Sequence, residues 1–541
     1  MAEMLAGGEL DVLTGDYLAE LTMLILGRDR LKDTTTGYAK TFLRHLENSL
    51  GTALEKGIRI VSNAGGLNPA GLANAVRALA DNLGLDVLVA HVEGDDLRSR
   101  AGELGLGEPL AANAYLGAWG IAECLDAGAQ VVVTGRVTDA SLVVGPAASH
   151  FGWGRADWDR LAGAVVAGHV LECGPQATGG NYAFFAELGL DHRPLGFPLA
   201  EIAADGSSVI TKHPDTGGAV TVGTVTAQLL YEIGGARYAG PDVTSRFDTI
   251  SLVEDGPDRV RISGVRGEPP PPTLKVGLNT LGGFRNEVTF ILTGLDVEAK
   301  AALVRKQLAE PLAGLDPEWT LARTDHPDAD VQEEAAALLR CVVRAADPKR
   351  VGRAFSAAAI ELALASYPGF HVTAPPSDAA PYGVFSAATV DAALVPHVAV
   401  LPDGARVTIA PAPETATLEL LPQPSVRASW GPTRPVPLGT LIGARSGDKG
   451  GSANVGLWAR TTSAFEWLAA FLTVDEFRRL LPETADLPVR RYVFENLSAV
   501  NFVVEGILGE GVAYNARHDP QAKALGEWLR SRVVDIPEGL L

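Results

Sequence analysis

Arg136 and Asp139 lie where a β-branched run, residues 130–134, gives way to a turn and then a helix. An Arg at that junction can fix an acyl or phosphate anion, and an Asp three residues on can exchange a proton beside it. The same two residues also suit a helix N-cap and its ion partner. Asn63, Gly65, Gly66 and Asn68 occupy a similar turn after the apolar run 58–61. Two glycines ahead of an Asn-Pro helix start can present backbone N–H groups to a phosphate or carboxylate. Their spacing fits neither the dinucleotide fingerprint nor a P-loop, and a tight turn is the plain alternative. Gly179 and Gly180, and the Thr216-Gly217-Gly218 turn with Lys212 nearby, offer close backbone approach and a charge partner, or simply a change of chain direction.

Carboxylates supply a second set. Asp16 and Glu20 are four residues apart; on one helix face they would repel by roughly 0.2–0.5 kcal/mol unless a cation or proton intervened, or they form a solvated pair. His169 and Glu172 share a face at i,i+3 with ligand chemistry, but no third ligand stands at a recognisable spacing, so no metal site is assigned. In the stretch 445–450, Lys449 is followed by glycine rather than Ser or Thr, and a strand comes next, which excludes a Walker loop. Either Lys449 binds an anion oriented by Ser446 or Asn454, or Asp448 and Lys449 form a solvated hairpin turn. Arg136, Asp139 and Lys449 are thus the catalytic candidates. Asn63, Gly65, Gly66, Asn68, Gly179, Gly180, Lys212, Ser446 and Asn454 are the candidates for substrate binding.

The elements that must position these residues follow βα logic. Leu43, Leu46, Leu50 and Leu54 fall at helical spacing before Gly57, residues 58–61 read as a buried strand, and Leu72, Val76, Leu79 and Leu83 mark the stripe of the next helix. Strands at 85–92 and 130–134 continue the pattern and predict a parallel sheet, in which the loops 63–68 and 135–139 share one crevice. The expected class is α/β: an N-terminal, mostly parallel sheet with flanking helices (residues 1–225), a second α/β part (226–400), a proline-rich linker (401–434) and a C-terminal ferredoxin-like α+β domain (435–541). That last unit is read from strands at 438–444, 454–460, 491–495 and 502–505 and helices near 463–481 and 520–532.

A chain of 541 residues exceeds one ordinary core. Its 45 basic against 65 acidic side chains, a formal charge of -20, oppose nucleic acid and anionic lipid as partners. A local Arg, Lys or helix N-terminus can still hold a small anion, because distant charge is screened beyond about 8–10 Å. The 3 cysteines are far apart and suggest neither a disulfide framework nor a thiolate zinc site. Residues 1–13 carry no basic segment followed by an apolar run, and no apolar stretch of about 18–20 residues appears, so a cytoplasmic location without membrane contact is expected.

Several segments together resemble the acyclic terpene utilisation (AtuA) family: Asp16-Tyr17-Leu18-Ala19-Glu20, Ser62-Asn63-Ala64-Gly65-Gly66-Leu67-Asn68-Pro69, Thr134-Gly135-Arg136-Val137-Thr138-Asp139, His169-Val170-Leu171-Glu172-Cys173-Gly174 and Thr178-Gly179-Gly180-Asn181-Tyr182. Gly443-Ala444-Arg445-Ser446-Gly447-Asp448-Lys449-Gly450 resembles the ferredoxin-like domain fused behind that family's core. Members usually open with a strand and glycine-rich turn before the helix leading to the Asp16 motif, whereas this sequence starts near that helix, so either the gene start is misplaced or that edge of the crevice is lost. The resemblance implies breakdown of acyclic terpenes or related branched acids, whose intermediates travel as coenzyme A thioesters. It leads to an expected lyase or hydratase acting on a branched acyl-CoA, a small anionic substrate, in which backbone amides and Arg136 stabilise an oxyanion and Asp139 or another carboxylate moves a proton. The competing expectations are a non-catalytic subunit assembling pathway enzymes and a ligand-binding sensor. No resident cofactor is identified, and size and a sheet edge make a homo-oligomer reasonable.

Overall fold

The β-branched runs become parallel strands. Val12–Gly15, Arg59–Ser62, Val131–Thr134 and Val89–Glu93 lie side by side in that order, all parallel. Val398–Val400 and Arg406–Thr408 extend the sheet antiparallel beyond Val89–Glu93. The computed structural model describes residues 1–189, 192–419, 421, 423 and 430–541, the side chains of Glu20 and Leu21 excepted.

Local sequence chemistry explains the helices on this sheet. Asn68 accepts the Gly71 N–H at 2.9 Å and Pro69 opens the helix Pro69–Leu83, which ends at the left-handed Gly84. Its inward stripe is rotated from the leucine pattern: Leu72 and Val76 are buried together with Ala73 and Ala80, while Leu83 is exposed. Alanines turn inward here because the helix packs closely on the strands, where large side chains do not fit. The leucine series 43–54 is two helices, Lys40–Glu47 and Leu50–Glu55, whose Phe42, Leu46, Leu50 and Ala53 are fully buried in one cluster. Asp16 and Glu20 do not share a helix. Asp16 directly follows the strand Val12–Gly15, and the helix Glu20–Lys32 begins only after Ala19. Their expected i,i+4 repulsion therefore does not arise from helix geometry, and the Glu20 side chain lies outside the described residues.

The chain forms two compact units: Met1–Asn279 with Phe385–Val512 and Asp519–Leu541, and Thr280–Val384 with Ala513–His518. In the second, Glu318–Ala322, Ala336–Ala345, the later part of Thr273–Thr293 and His371–Val372 form an antiparallel sheet. The helices Val297–Leu308 and Arg353–Glu361 bury Val304, Leu308 and Phe355 against Phe290 and Leu339 of that sheet.

Within the first unit, the ferredoxin-like part has four antiparallel strands: Ile442–Lys449, Ser452–Ala459, Ala499–Val504 and Val489–Phe494, in spatial order. Phe465, Leu468, Phe477 and Leu529 from its helices pack on Val455 and Phe502. The hairpin turn is at residues 450–451, two residues past the position expected, so Asp448 and Lys449 end a strand, with Lys449 opposite Ser452. A two-stranded antiparallel ribbon, Thr433–Pro437 with Val533–Pro537, joins the beginning of this part to its end. Of the linker expected at 401–434, residues 420, 422 and 424–429 lie outside the described residues, and Arg406–Thr408 forms an edge strand. No helix among the described residues is long and apolar enough to cross a membrane.

Candidate functional site

In a parallel sheet the loops after the strand C-termini gather on one side, and here they bring together four polar residues. Asp16 follows Val12–Gly15, Asn63 follows Arg59–Ser62, Asp95 follows Val89–Glu93, and Arg136 follows Val131–Thr134. The 63–68 and 135–139 loops lie side by side: a Cβ on Gly65 would stand 2.4 Å from the Thr134 carbonyl oxygen.

Hydrogen bonds tie these loops into one assembly. Asn63, fully buried, donates from Nδ2 to Asp16 Oδ1 at 2.6 Å and accepts the Tyr17 N–H on Oδ1 at 2.7 Å. Asp95 Oδ2 accepts the Arg136 N–H at 2.8 Å and the Asn113 amide at 2.7 Å. Arg136 donates to the Leu18 carbonyl at 2.6 Å, pairs with Asp139 at 3.1 Å and lies 4.2 Å from the Tyr115 ring centroid. Burial works against its charge, but Asp139, Tyr115 and Asp16 outweigh burial and hold Arg136 charged. The helix Ser141–Phe151 is capped by Ala140 without a side-chain bond, so Asp139 serves as ion partner and not as N-cap.

The segments that carry Asp16 and Asp139 open onto a cleft of about 430 Å³, within the roughly 300–1,000 Å³ range of small-molecule sites. Its polar wall is Asp16, Tyr17, His45, Asp139, Glu172 and Cys173; Leu13, Leu142, Val143, Leu171 and Phe197 make it apolar elsewhere. Tyr17 OH and His45 Nδ1 are 2.8 Å apart. Asp16 is open to water through the cleft, yet protein encloses it on the other sides. That enclosure and the Asp139 carboxylate raise its pKa to about 7 against the opposing pull of Arg136, Asn63 and the Leu18 N–H.

A second layer of polar groups stands behind Glu172. His169, buried at the end of Trp158–Leu171, places Nδ1 3.1 Å from Glu172 Oε1. Burial opposes its charge, but Glu172 and Glu232 outweigh it and raise the imidazole pKa. Glu172 is raised too, by burial, with His169 opposing. Burial and the neighbouring carboxylates push the Cys173 thiol up, so it stays protonated and is no nucleophile. Glu232 is raised to about 7 by burial, Glu172, Asp448 and Asp139, against a hydrogen bond from Tyr231. Arg445 lies 4.3 Å from the Tyr231 ring centroid and donates to the Gln176 side chain.

The candidates named from sequence divide accordingly. Asp139 lines the cleft, and Asn63 and Arg136 support its carboxyls from behind without lining it. The 63–68 loop is already engaged internally: Gly66 N–H bonds Asn63 O, Leu67 N–H bonds Gly37 O, and Asn68 N–H bonds Gly65 O. Asn68 is spent on its cap and on the carbonyls of Thr35 and Thr36. Gly179 and Gly180 close a turn onto Gln176 O and Pro175 O, just beyond the cleft residue Pro175. Lys212 pairs with Asp258 at 3.2 Å and donates to Thr216 O at 3.0 Å, away from the cleft lining. Ser446 bridges Lys523 O and the Gly526 N–H, while Asn454 and Lys449 bond the backbone of the 230–232 segment.

Sequence reasoning missed Asp95, Glu232, Tyr231 and Arg445. Asp95 had a readable signal, an acidic residue after a parallel strand, whereas Glu232 and Tyr231 follow a helix with no local motif. Among the described residues, no three His, Cys, Asp or Glu side chains come together as a metal-binding group. What the cleft offers is acid–base chemistry: several carboxyls, one near neutrality, beside a tyrosine–histidine pair and an apolar wall.

The family model described as acyclic terpene utilisation family protein AtuA matches residues 1–401, and the AtuA ferredoxin-like domain matches residues 436–535. No curated protein matches the chain.

Proposed function

Since this chain belongs to the acyclic terpene utilisation family AtuA, we propose that its cleft performs acid–base chemistry on a branched acyl thioester, adding water to or removing it from a double bond conjugated with the carbonyl. The observation that carries this reading is the cleft wall itself, where the Asp16, Asp139 and Glu172 carboxyls line one cavity opposite an apolar face, with protein enclosure and Asp139 raising the Asp16 carboxyl to about 7. A group with that pKa is part protonated and part ionised at working pH, which suits it to give and take a proton in one cycle. In the hydration direction Asp139, held by Arg136 at 3.1 Å, takes a proton from water as its oxygen bonds to Cβ. Asp16 then gives a proton to Cα, and the electron pair of the double bond ends in the new C–H bond. Leu142, Val143, Leu171 and Phe197 supply an apolar wall for a branched chain. The coenzyme A thioester is the substrate, with its polar carrier outside the cleft.

The test is to incubate the purified full chain with branched 2-enoyl-CoA and 3-hydroxyacyl-CoA thioesters in 18O-enriched water and to read product masses. Gain of one 18O-labelled water by the 2-enoyl thioester, or loss of one unlabelled water from the 3-hydroxyacyl thioester, with the native chain and not with Asp16→Asn, supports the reading. An unchanged mass across the branched series removes it.

A further inference from the structure

A second cavity, of about 300 Å³, lies where the ferredoxin-like part packs against the helix Val222–Leu229. Gly223 and Thr226 line it from that helix, Tyr182 from the segment before it, and Trp458 and Arg460 from the end of the strand Ser452–Ala459. Among the described residues it shares no lining residue with the Asp16 cleft. The Tyr182 and Trp458 rings stack at 6.0 Å and 21°, and the Phe184 ring meets both edge-on. Packed rings from both parts of the fold therefore hold the cavity wall in place.

The polar side of this cavity is made of donors. Tyr182 and Thr226 are only 8% and 4% exposed, yet neither hydroxyl has a hydrogen-bond partner among the described residues. The Tyr182 oxygen lies over Gly223, where a Cβ would stand 2.2 Å from it, so the phenol points at the first turn of the helix. Thr226 follows Gly223 by three residues on the same helix face. The N–H groups of a first turn have no carbonyl of their own helix to bond, and the cap Thr221 takes the N–H of Thr224 at 3.1 Å, not that of Gly223. Arg460 brings positive charge: its guanidinium lies 4.2 Å from the Phe184 ring centroid, and its pull on the Tyr182 phenol opposes the burial that raises it. Glu187 pairs with Arg460 from outside the cavity. In a chain with 65 acidic side chains, no carboxylate among the described residues lines this cavity. Val222, Leu252 and Leu497 make the rest of it apolar.

We propose that this cavity binds a small monocarboxylate with a short apolar chain. The carboxylate accepts from the Tyr182 and Thr226 hydroxyls and the Gly223 N–H beside Arg460, and the chain lies along Val222, Leu252 and Leu497. Hydroxyls and N–H groups bond an ionised oxygen more strongly than a neutral one, and a helix N-terminus and a guanidinium both favour negative charge. A cation meets no carboxylate here, and a phosphate leaves the apolar wall bare. The ligand touches both the helix Val222–Leu229 and the ferredoxin-like part, so its binding draws the two together and stabilises their contact. The site stands independently of the chemistry assigned to the Asp16 cleft.

The test is isothermal titration of the full chain with 3-methylbutanoate, its neutral analogue 3-methylbutanamide, and inorganic phosphate. The expected result is binding of the carboxylate, tighter than that of phosphate, with none of the amide. Tyr182→Phe and Thr226→Val should each weaken it about tenfold, because each removes one hydrogen bond to a charged group. Tyr182→Phe keeps the ring stack, and thermal midpoints check that both variants fold. Affinity unchanged in both variants puts the ligand elsewhere and overturns the site, as does absence of binding by the native chain. Equal binding of the amide overturns the anion, and phosphate bound as tightly as 3-methylbutanoate overturns the apolar chain. A native crystal soaked in 3-bromopropanoate needs no variant at all: an anomalous bromine peak in the cavity supports the proposal, and peaks only elsewhere overturn it.

Discussion

The Asn63 side chain donates to the Asp16 carboxyl at 2.6 Å and, with its other end, accepts the backbone N–H of Tyr17 at 2.7 Å. One buried amide thus orients the carboxyl and fixes the turn that carries it. Asn63→Leu leaves the Tyr17 N–H without its partner and removes a bond that favours the Asp16 carboxylate. The expected cost is about 1–3 kcal/mol in urea unfolding, with the Asp16 limb of any pH–rate profile moved to higher pH. A variant as stable as the native chain would show that the bond does not hold the turn.

Asp95 makes stability depend on pH. Burial raises its carboxyl to about 7, despite the Arg136 N–H and Asn113 bonds, while the unfolded chain titrates near the ordinary value of roughly 3.9. Between those values the folded chain holds a proton that the unfolded chain has released. The stability from this group is therefore present below about pH 4 and lost as pH rises through about 7. Asp95→Asn should flatten the fall in stability between pH 5.5 and pH 8 by about 2 kcal/mol, read from urea midpoints at the two pH values. An equal fall in both proteins would contradict the assignment.

Gly65 is a matter of space. Its missing side chain leaves room for the Thr134 carbonyl oxygen, which a Cβ would meet at 2.4 Å, with Pro69 backbone at 2.7 Å on the other side. Backbone cannot retreat as a side chain can, so Gly65→Ala should cost about 1–3 kcal/mol and lower the thermal midpoint. Gly57→Ala, where no atom crowds the new Cβ but φ is 70°, separates crowding from backbone strain by comparison.

Lys212 tests where the site ends. Its ammonium pairs with Asp258 at 3.2 Å and bonds Thr216 O at 3.0 Å, so Lys212→Met should cost about 1 kcal/mol of stability and leave acyl-thioester affinity unchanged. Isothermal titration of both proteins checks this; a several-fold loss of affinity would return Lys212 to the binding site.

How much of this was legible follows from the range over which each signal acts. Asn68-Pro69 announced a helix start because capping is settled within four residues, and the structure places the cap there. The neighbouring 63–68 and 135–139 loops followed from parallel-sheet logic, since adjacent strands deliver their C-termini together. Asp139 looked like an N-cap by the same local rule, but its carboxyl is drawn to Arg136 and the cap falls to Ala140. Asp16 was misplaced on a helix because four-residue spacing does not reveal where a strand ends. Ser446 and Asn454 stood out by composition, yet what they bond, residues 523–526 and 230–232, lies far away in sequence. Glu232 carried no local mark at all, as its conformation is imposed by side chains more than two hundred residues later.

The ribbon Thr433–Pro437 with Val533–Pro537 has a mechanical meaning. The chain enters the ferredoxin-like part at Thr433 and leaves the ribbon at the opposite residue, Pro537, so both handles emerge at the same end. A pull on them loads the ladder one rung at a time instead of shearing all rungs together. Pro435, Pro437 and Pro537 also lack the N–H that a rung would use. Under tension, from an optical trap or an unfolding protease, this ribbon is where the ferredoxin-like part should peel first, and the helix Leu525–Ser531 packed on strand Ile442–Lys449 is what the force would meet next.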